Sequence, residues 1–199
     1  TGEDVHGTGL IWDTGDGDLR AWPIPGTLAP LHGTNPPRGQ VLMSMYHLDG
    51  QPMTSDPSLA LASQVELLAA RGLHPAGAFE LEFFLLANER DADGKMQPAR
   101  AVLDGRRSGK TEVYSVDHLH GMEPLFSDIY AAAKAQGIPA ETVISEYAPG
   151  QYELTLNYRK DVMRAADDLV MLKRLVRAQA RRHGVTACFM AKPIETYAG

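Results

Sequence analysis

FELEFFLL, Phe79 to Leu86, is the stretch that decides the fold. Glu80 and Glu82 alternate with Phe79, Leu81 and Phe83 at the strand period of two, so the acids leave from one face while the apolar side chains pack behind. The continuation Phe83-Phe84-Leu85-Leu86 is apolar on both faces, which puts the strand inside its sheet and makes exposed acids unexpected there. Two like carboxylates held side by side away from water are costly unless a cation lies between them, and a divalent ion suits an all-oxygen donor set. Taken alone, the pair is equally compatible with a half-exposed strand of ordinary polar alternation.

The second acidic run is EYAPGQYE, Glu146 to Glu153. Pro149-Gly150 turns the chain and carries Glu153 back towards Glu146, so Glu141 to Tyr158 reads as strand, turn and returning strand. A hairpin with incidental charges remains the plain alternative for this run by itself. The two runs together are what ask for a common explanation.

Around these runs, Gln40 to Tyr46 (QVLMSMY) reads as a buried strand and Ala76 to Leu86 as the strand carrying the first acids. A helix opens at Asp56-Pro57-Ser58, with Pro57 at a permissive early position, runs through Ala70 and closes at Gly72. A second helix spans Met122 to Ala135, with Leu125, Ile129 and Ala132 on one face and Gly137 beyond its end. The longest runs from Asp161 to His183. Its acids lie in the first half and Lys173, Arg174, Arg177, Arg181 and Arg182 in the second, which complements the helix dipole. Thr186 to Pro193 is strand-like, and residues 1–39 are punctuated by turns at Gly15-Asp16-Gly17-Asp18 and Pro23-Ile24-Pro25-Gly26.

The 199 residues, 44% apolar and 22% charged, are globular in composition and sufficient to bury a core. A net charge of −6 with no basic stripe argues against a general nucleic-acid binder, while magnesium-bound nucleotides remain compatible. No apolar stretch approaches the roughly 20 residues that span a bilayer, so no membrane association is expected. The single Cys188 lies in an apolar run and reads as a buried core thiol, which suits a reducing cytoplasm. Both ends of the chain read as cut.

Other candidate sites take plainer readings. Glu89, Asp91, Asp93 and Gly94 imitate the start of a calcium loop, but its twelfth position is Arg100 where a bidentate glutamate is needed, so a surface turn is expected. The glycines around Asp16 lack the Lys-Ser/Thr of a phosphate loop. His118 and His120 have no partner ligands nearby and read as surface residues. No Gly-x-Ser-x-Gly occurs, which leaves nucleophilic catalysis without support.

Jointly, Glu80-Leu81-Glu82-Phe83-Phe84-Leu85, Glu146 through Pro149-Gly150-Gln151 to Glu153, and Met190-Ala191-Lys192-Pro193 resemble the ordered motifs of the glutamine synthetase family. Arg164-Ala165-Ala166-Asp167-Asp168 and the basic stretch after it are similar to the family's long helix between its last two motifs. In texture the chain is closer to the branch that joins glutamate to amines, the γ-glutamylpolyamine synthetases.

The resemblance implies an α+β fold. Residues 1–52 would be the C-terminal end of a β-grasp domain, and 53–199 the first half of a catalytic domain on a curved antiparallel sheet. It implies ATP-dependent ligation of glutamate to ammonia or an amine through γ-glutamyl phosphate, with two Mg2+ or Mn2+ ions. Glu82, Glu146 and Glu153 would hold one ion and Glu80 the other, while Glu141 and Tyr158 fall at the nucleotide pocket. Asp4 and Asp18 would belong to loops offered across the subunit interface of a homo-oligomeric ring. A family member would continue past Gly199 into histidine, arginine and glutamate segments, so the chain is expected to be a piece that does not turn over alone. One rival is a catalytically silent structural or regulatory relative. Another is a glutamate-cysteine ligase or guanidino-kinase-like enzyme, against which the Pro149-Gly150-Gln151 turn stands.

Overall fold

The computed structural model describes residues 7, 18–107 and 109–197. It divides into two compact units, Thr1–Pro30 with Asn35–Pro75 and Leu31–Thr34 with Ala76–Gly199. In the first, β1 (Arg20–Pro23) pairs antiparallel with β4 (Met43–Tyr46), and β2 (Ala29–Leu31) pairs with β3 (Arg38–Gln40). These are two separate two-stranded pieces, and a β-grasp arrangement is not shown by them. The buried strand expected over Gln40 to Tyr46 is divided between β3 and β4, and Val41 and Met43 are exposed; a two-stranded ribbon has no second layer to cover them. Helix α1 (Pro57–Ala69) begins where expected, because the Asp56 carboxylate caps it by accepting from the Ser58 and Leu59 amides.

The second unit is built on a four-stranded antiparallel sheet of order β6-β7-β5-β8, with β5 at Glu80–Leu86, β6 at Ala140–Ser145, β7 at Gln151–Leu156 and β8 at Thr186–Cys188. The apolar run of β5 is therefore interior to the sheet, as its two-sided hydrophobicity requires. Between β5 and β6 lie α2 (Val116–Gly121) and α3 (Glu123–Ala135), and α4 (Val162–Arg182) follows β7. Leu125 and Ile129 of α3 and Leu172 and Val176 of α4 are fully buried with Phe83, Leu85 and Leu154 of the sheet. Phe126 meets Tyr152 edge-on at 5.1 Å, so one face of the sheet is the core. Thr186 to Pro193 forms a strand only as far as Cys188, which is partly buried at the sheet's edge rather than in the core.

A charged knot ties the strand ends to α4. Asp168, 1% exposed, accepts from Arg159 Nε and lies 3.2 Å from Arg164 Nε, off the hydrogen-bonding direction. Arg159 also donates from Nη2 to the Gly137 carbonyl (2.8 Å) and pairs through its backbone with Gly77. Both arginines are about a third exposed and can rehydrate, whereas the carboxylate cannot. Asp168→Asn is expected to cost about 2 kcal/mol, below the value for a fully buried pair, and to lower the urea midpoint accordingly. An unchanged midpoint would show that the knot contributes nothing net.

Candidate functional site

The opposite face of the same sheet carries the acids. Glu82 stands directly across from Glu153, and Glu80 across from Thr155. On the other side of β7, Ile144 faces Glu153 and the Glu146 amide donates to the Gln151 carbonyl at 2.9 Å. By the alternation of the pleat, Glu146 shares a face with Ile144 and hence with Glu153, Glu82 and Glu80. Like charges placed directly opposite each other destabilise a sheet, so this arrangement is not explained by strand pairing. The Glu153 carboxyl is held above the usual carboxylate range, first by burial and then by the charges of Glu80, Glu146 and Glu82.

Glu80 and Glu82 are nevertheless exposed, against the expectation that an interior strand hides them. The reason is that this face is covered only at one end. Phe84 and Leu86 pack there with Ala148 and Ile194, while the stretch bearing Glu80 and Glu82 lies open. The site is thus an open acidic surface bounded on one side by the Ala148-Pro149-Gly150 turn. A cavity of about 550 Å3 is lined by Arg107, Lys110, His118 and Tyr152 among others, and none of the four glutamates lines it.

Gln151 secures the turn to β5. Its buried amide accepts from the Ala148 N–H at 2.8 Å and donates to Glu82 Oε1. Among the described residues no three His, Cys, Asp or Glu side chains are gathered tightly around one point. The donor chemistry still fits a hard divalent ion: the groups are all carboxylates, and their mutual repulsion at Glu153 is what an ion among them would relieve.

Glu141 and Tyr158, assigned to a nucleotide, are exposed at the far end of the hairpin. Ala140 pairs with Leu156 there, and a register shift separates Ala140 from Val143. Passing along the sheet, the order is Gln151, then Glu82 with Glu153, then Glu80, then the Glu141 and Tyr158 end. Asp18 is exposed, and Asp4 lies outside the described residues.

Tyr114 went unread in the sequence. It adopts φ +57° without being glycine, its side chain is 66% exposed, and its N–H donates to the Ser145 carbonyl at 2.9 Å, immediately before Glu146. A left-handed aromatic residue is an outlier held in place by its surroundings. Nothing in the pattern around it announces that conformation. His118, by contrast, is not a surface residue: it is half-buried, with Nδ1 3.5 Å from Ser145 Oγ and Nε2 3.4 Å from Glu112. The calcium-loop mimic is a surface turn in which Asp91 accepts from the Asp93 and Lys95 amides.

The glutamine synthetase catalytic-domain family model matches residues 54–199. The chain is 40% identical over 198 residues to Gamma-glutamylputrescine synthetase PuuA of Escherichia coli (strain K12), covering all of this chain and 42% of that protein. It is 32% identical to a Glutamate--isopropylamine ligase of Pseudomonas sp, covering 94% of this chain and 40% of that protein. Among solved structures, the GmaS/ADP complex superposes with a TM-score of 0.78 at 28% identity, over 92% of this chain and 40% of that one. The chain therefore spans about two fifths of the length of these relatives.

Proposed function

The chain belongs to the glutamine synthetase family, and we propose that the protein containing it uses ATP to join glutamate to an organic amine. The observation that carries this reading is the cross-strand Glu82 and Glu153 pair, with Glu80 and Glu146 on the same face. In the proposed reaction ATP phosphorylates the γ-carboxylate of glutamate and leaves as ADP, the amine sheds its ammonium proton and its neutral nitrogen attacks the γ-carbonyl carbon, and the carbon–oxygen bond to phosphate breaks as the nitrogen loses a second proton and the amide forms.

Glu82, Glu146 and Glu153 would hold one Mg2+ or Mn2+, and Glu80 a second towards the Glu141 and Tyr158 end, where the nucleotide would lie. Bound there, the ions would offset the negative charge of two anions brought together. The solved complex of the similar chain GmaS with ADP supports a nucleotide as a ligand. The four carboxylates would attract a cationic amine.

Residues 53–199 are read as part of the catalytic domain and 1–52 as the end of a β-grasp domain; the family match beginning at residue 54 supports the division. No helix among the described residues is long and apolar enough to cross a membrane, and a cytoplasmic ring of identical subunits is the proposed setting.

The amine decides between this reading and ordinary glutamine synthesis. An organic amine carries non-reacting atoms whose binding can orient the attacking nitrogen, and ammonia carries none. In the full-length protein, kcat/KM for putrescine or isopropylamine is expected to exceed that for ammonium by about tenfold or more. A preference for ammonium would assign the protein to glutamine synthesis. The absence of turnover with every amine would instead favour a silent relative.

A further inference from the structure

The side chain of Gln151 has a job beyond filling space. It is 3% exposed and sits on β7 opposite Phe84 of β5, diagonal to Glu82 on the same face. Its Oε1 takes the Ala148 N–H at 2.8 Å, and its Nε2 donates to Glu82 Oε1. The amide cannot be turned over: that would set its NH2 against a backbone donor and its oxygen against a carboxylate. The turn therefore dictates which end of the amide Glu82 meets. One oxygen of Glu82 is pinned by this bond, and the other carries no hydrogen bond to the turn.

We propose that Gln151 is the positioning residue that registers Glu82 of β5 against the Glu146 and Glu153 hairpin for divalent-ion binding. The inference rests on the ion reading above. Hydrogen bonds to a coordinating carboxylate hold it in the orientation the ion needs, and their loss weakens affinity even though the ligand itself remains. The plainer alternative is that the amide only satisfies the Ala148 N–H and steadies the turn. The two differ in whether the effect of Gln151 passes through Glu82.

A double-mutant cycle on the full-length protein separates them, with Mn2+ alone as the probe and free Mn2+ counted by electron paramagnetic resonance. Gln151→Met keeps the volume but loses both hydrogen bonds, and is expected to weaken Mn2+ binding by about 10- to 100-fold. Glu82→Gln should weaken it at least as much, and the double variant no further than Glu82→Gln alone. Gln151→Asn keeps an amide in the site but is one methylene too short to reach both partners; it should behave like Gln151→Met and serves if that variant does not fold. Wild-type affinity in either Gln151 variant overturns the proposal while a weakened Glu82→Gln leaves the ion site standing. So does a double variant that loses the product of both factors. Undiminished Mn2+ binding in both Glu82→Gln and Glu153→Gln removes the ion site itself, and the proposal with it.

Discussion

Glu153→Gln is expected to lower turnover of the full-length protein roughly 10²- to 10³-fold, and by the same factor for ammonium, putrescine and isopropylamine. Glu153 stands across from Glu82 and feels the charges of Glu80, Glu82 and Glu146, so it lies at the centre of the acidic face. In the proposed reaction a group there would act on the phosphoryl transfer, which every amine shares. The substitution is nearly isosteric and removes one of the crowded negative charges. Metal-free thermal stability should consequently hold or rise, while the stabilisation gained on adding Mg2+ should shrink. Phosphate release for each amine and melting curves with and without Mg2+ provide the check. A loss confined to one amine would move Glu153 into the amine pocket instead.

Gly150→Ala is expected to damage stability and activity together. Gly150 has φ +78°, and a Cβ there would lie 2.8 Å from the Leu85 carbonyl oxygen and 3.1 Å from Pro98 Cβ. The oxygen belongs to a backbone fixed on both sides, since it accepts from Ala99 N–H while Leu85 N–H donates to the Gly150 carbonyl at 2.7 Å. The left-handed conformation costs an alanine about 1 kcal/mol, and relieving the overlap adds about 2 kcal/mol, so a loss of about 3 kcal/mol is anticipated by urea denaturation. Any shift of the turn also displaces Gln151 and hence Glu82. A variant that melts normally and turns over normally would mean that the turn has slack which the contacts do not show.

Much of the second unit was legible because its segments combine strong periodicity with explicit stops. The two-sided apolar run Phe83 to Leu86 marks an interior strand, and Asp161 declares the helix it caps, as Asp56 does in the first unit. Period two put Glu80 and Glu82 on one face and one turn brought Glu153 back towards Glu146, whereas the joining of the two runs came from the family resemblance and is realised by the pairing of β5 with β7. The exposure of Glu80 and Glu82 did not follow, because it depends on Ala148 and Ile194 covering only the Phe84 end of that face. Tyr114 was illegible for a different reason: its conformation is imposed by a hydrogen bond to a strand 31 positions later in the chain, from Tyr114 to Ser145. The division of Gln40 to Tyr46 was likewise hidden, since a buried strand and a ribbon strand share the same composition.

The register shift in β6 sets a phase. Glu141 and Glu146 are five residues apart, an odd interval that in an unbroken strand would send their side chains to opposite sides. Ala140 pairs with Leu156 and Val143 with Leu154, so three steps on β6 match two on β7 and one residue is supernumerary. That extra residue inverts the parity, placing Ala140 and Val143 alike towards the helices and returning Glu141 to the side of Glu146. The proposed nucleotide end and the proposed ion end of the acidic surface are thus brought into step by a residue count rather than by any side chain. Removing a single residue from this segment would turn Glu141 through half a revolution while leaving Glu146 where it stands.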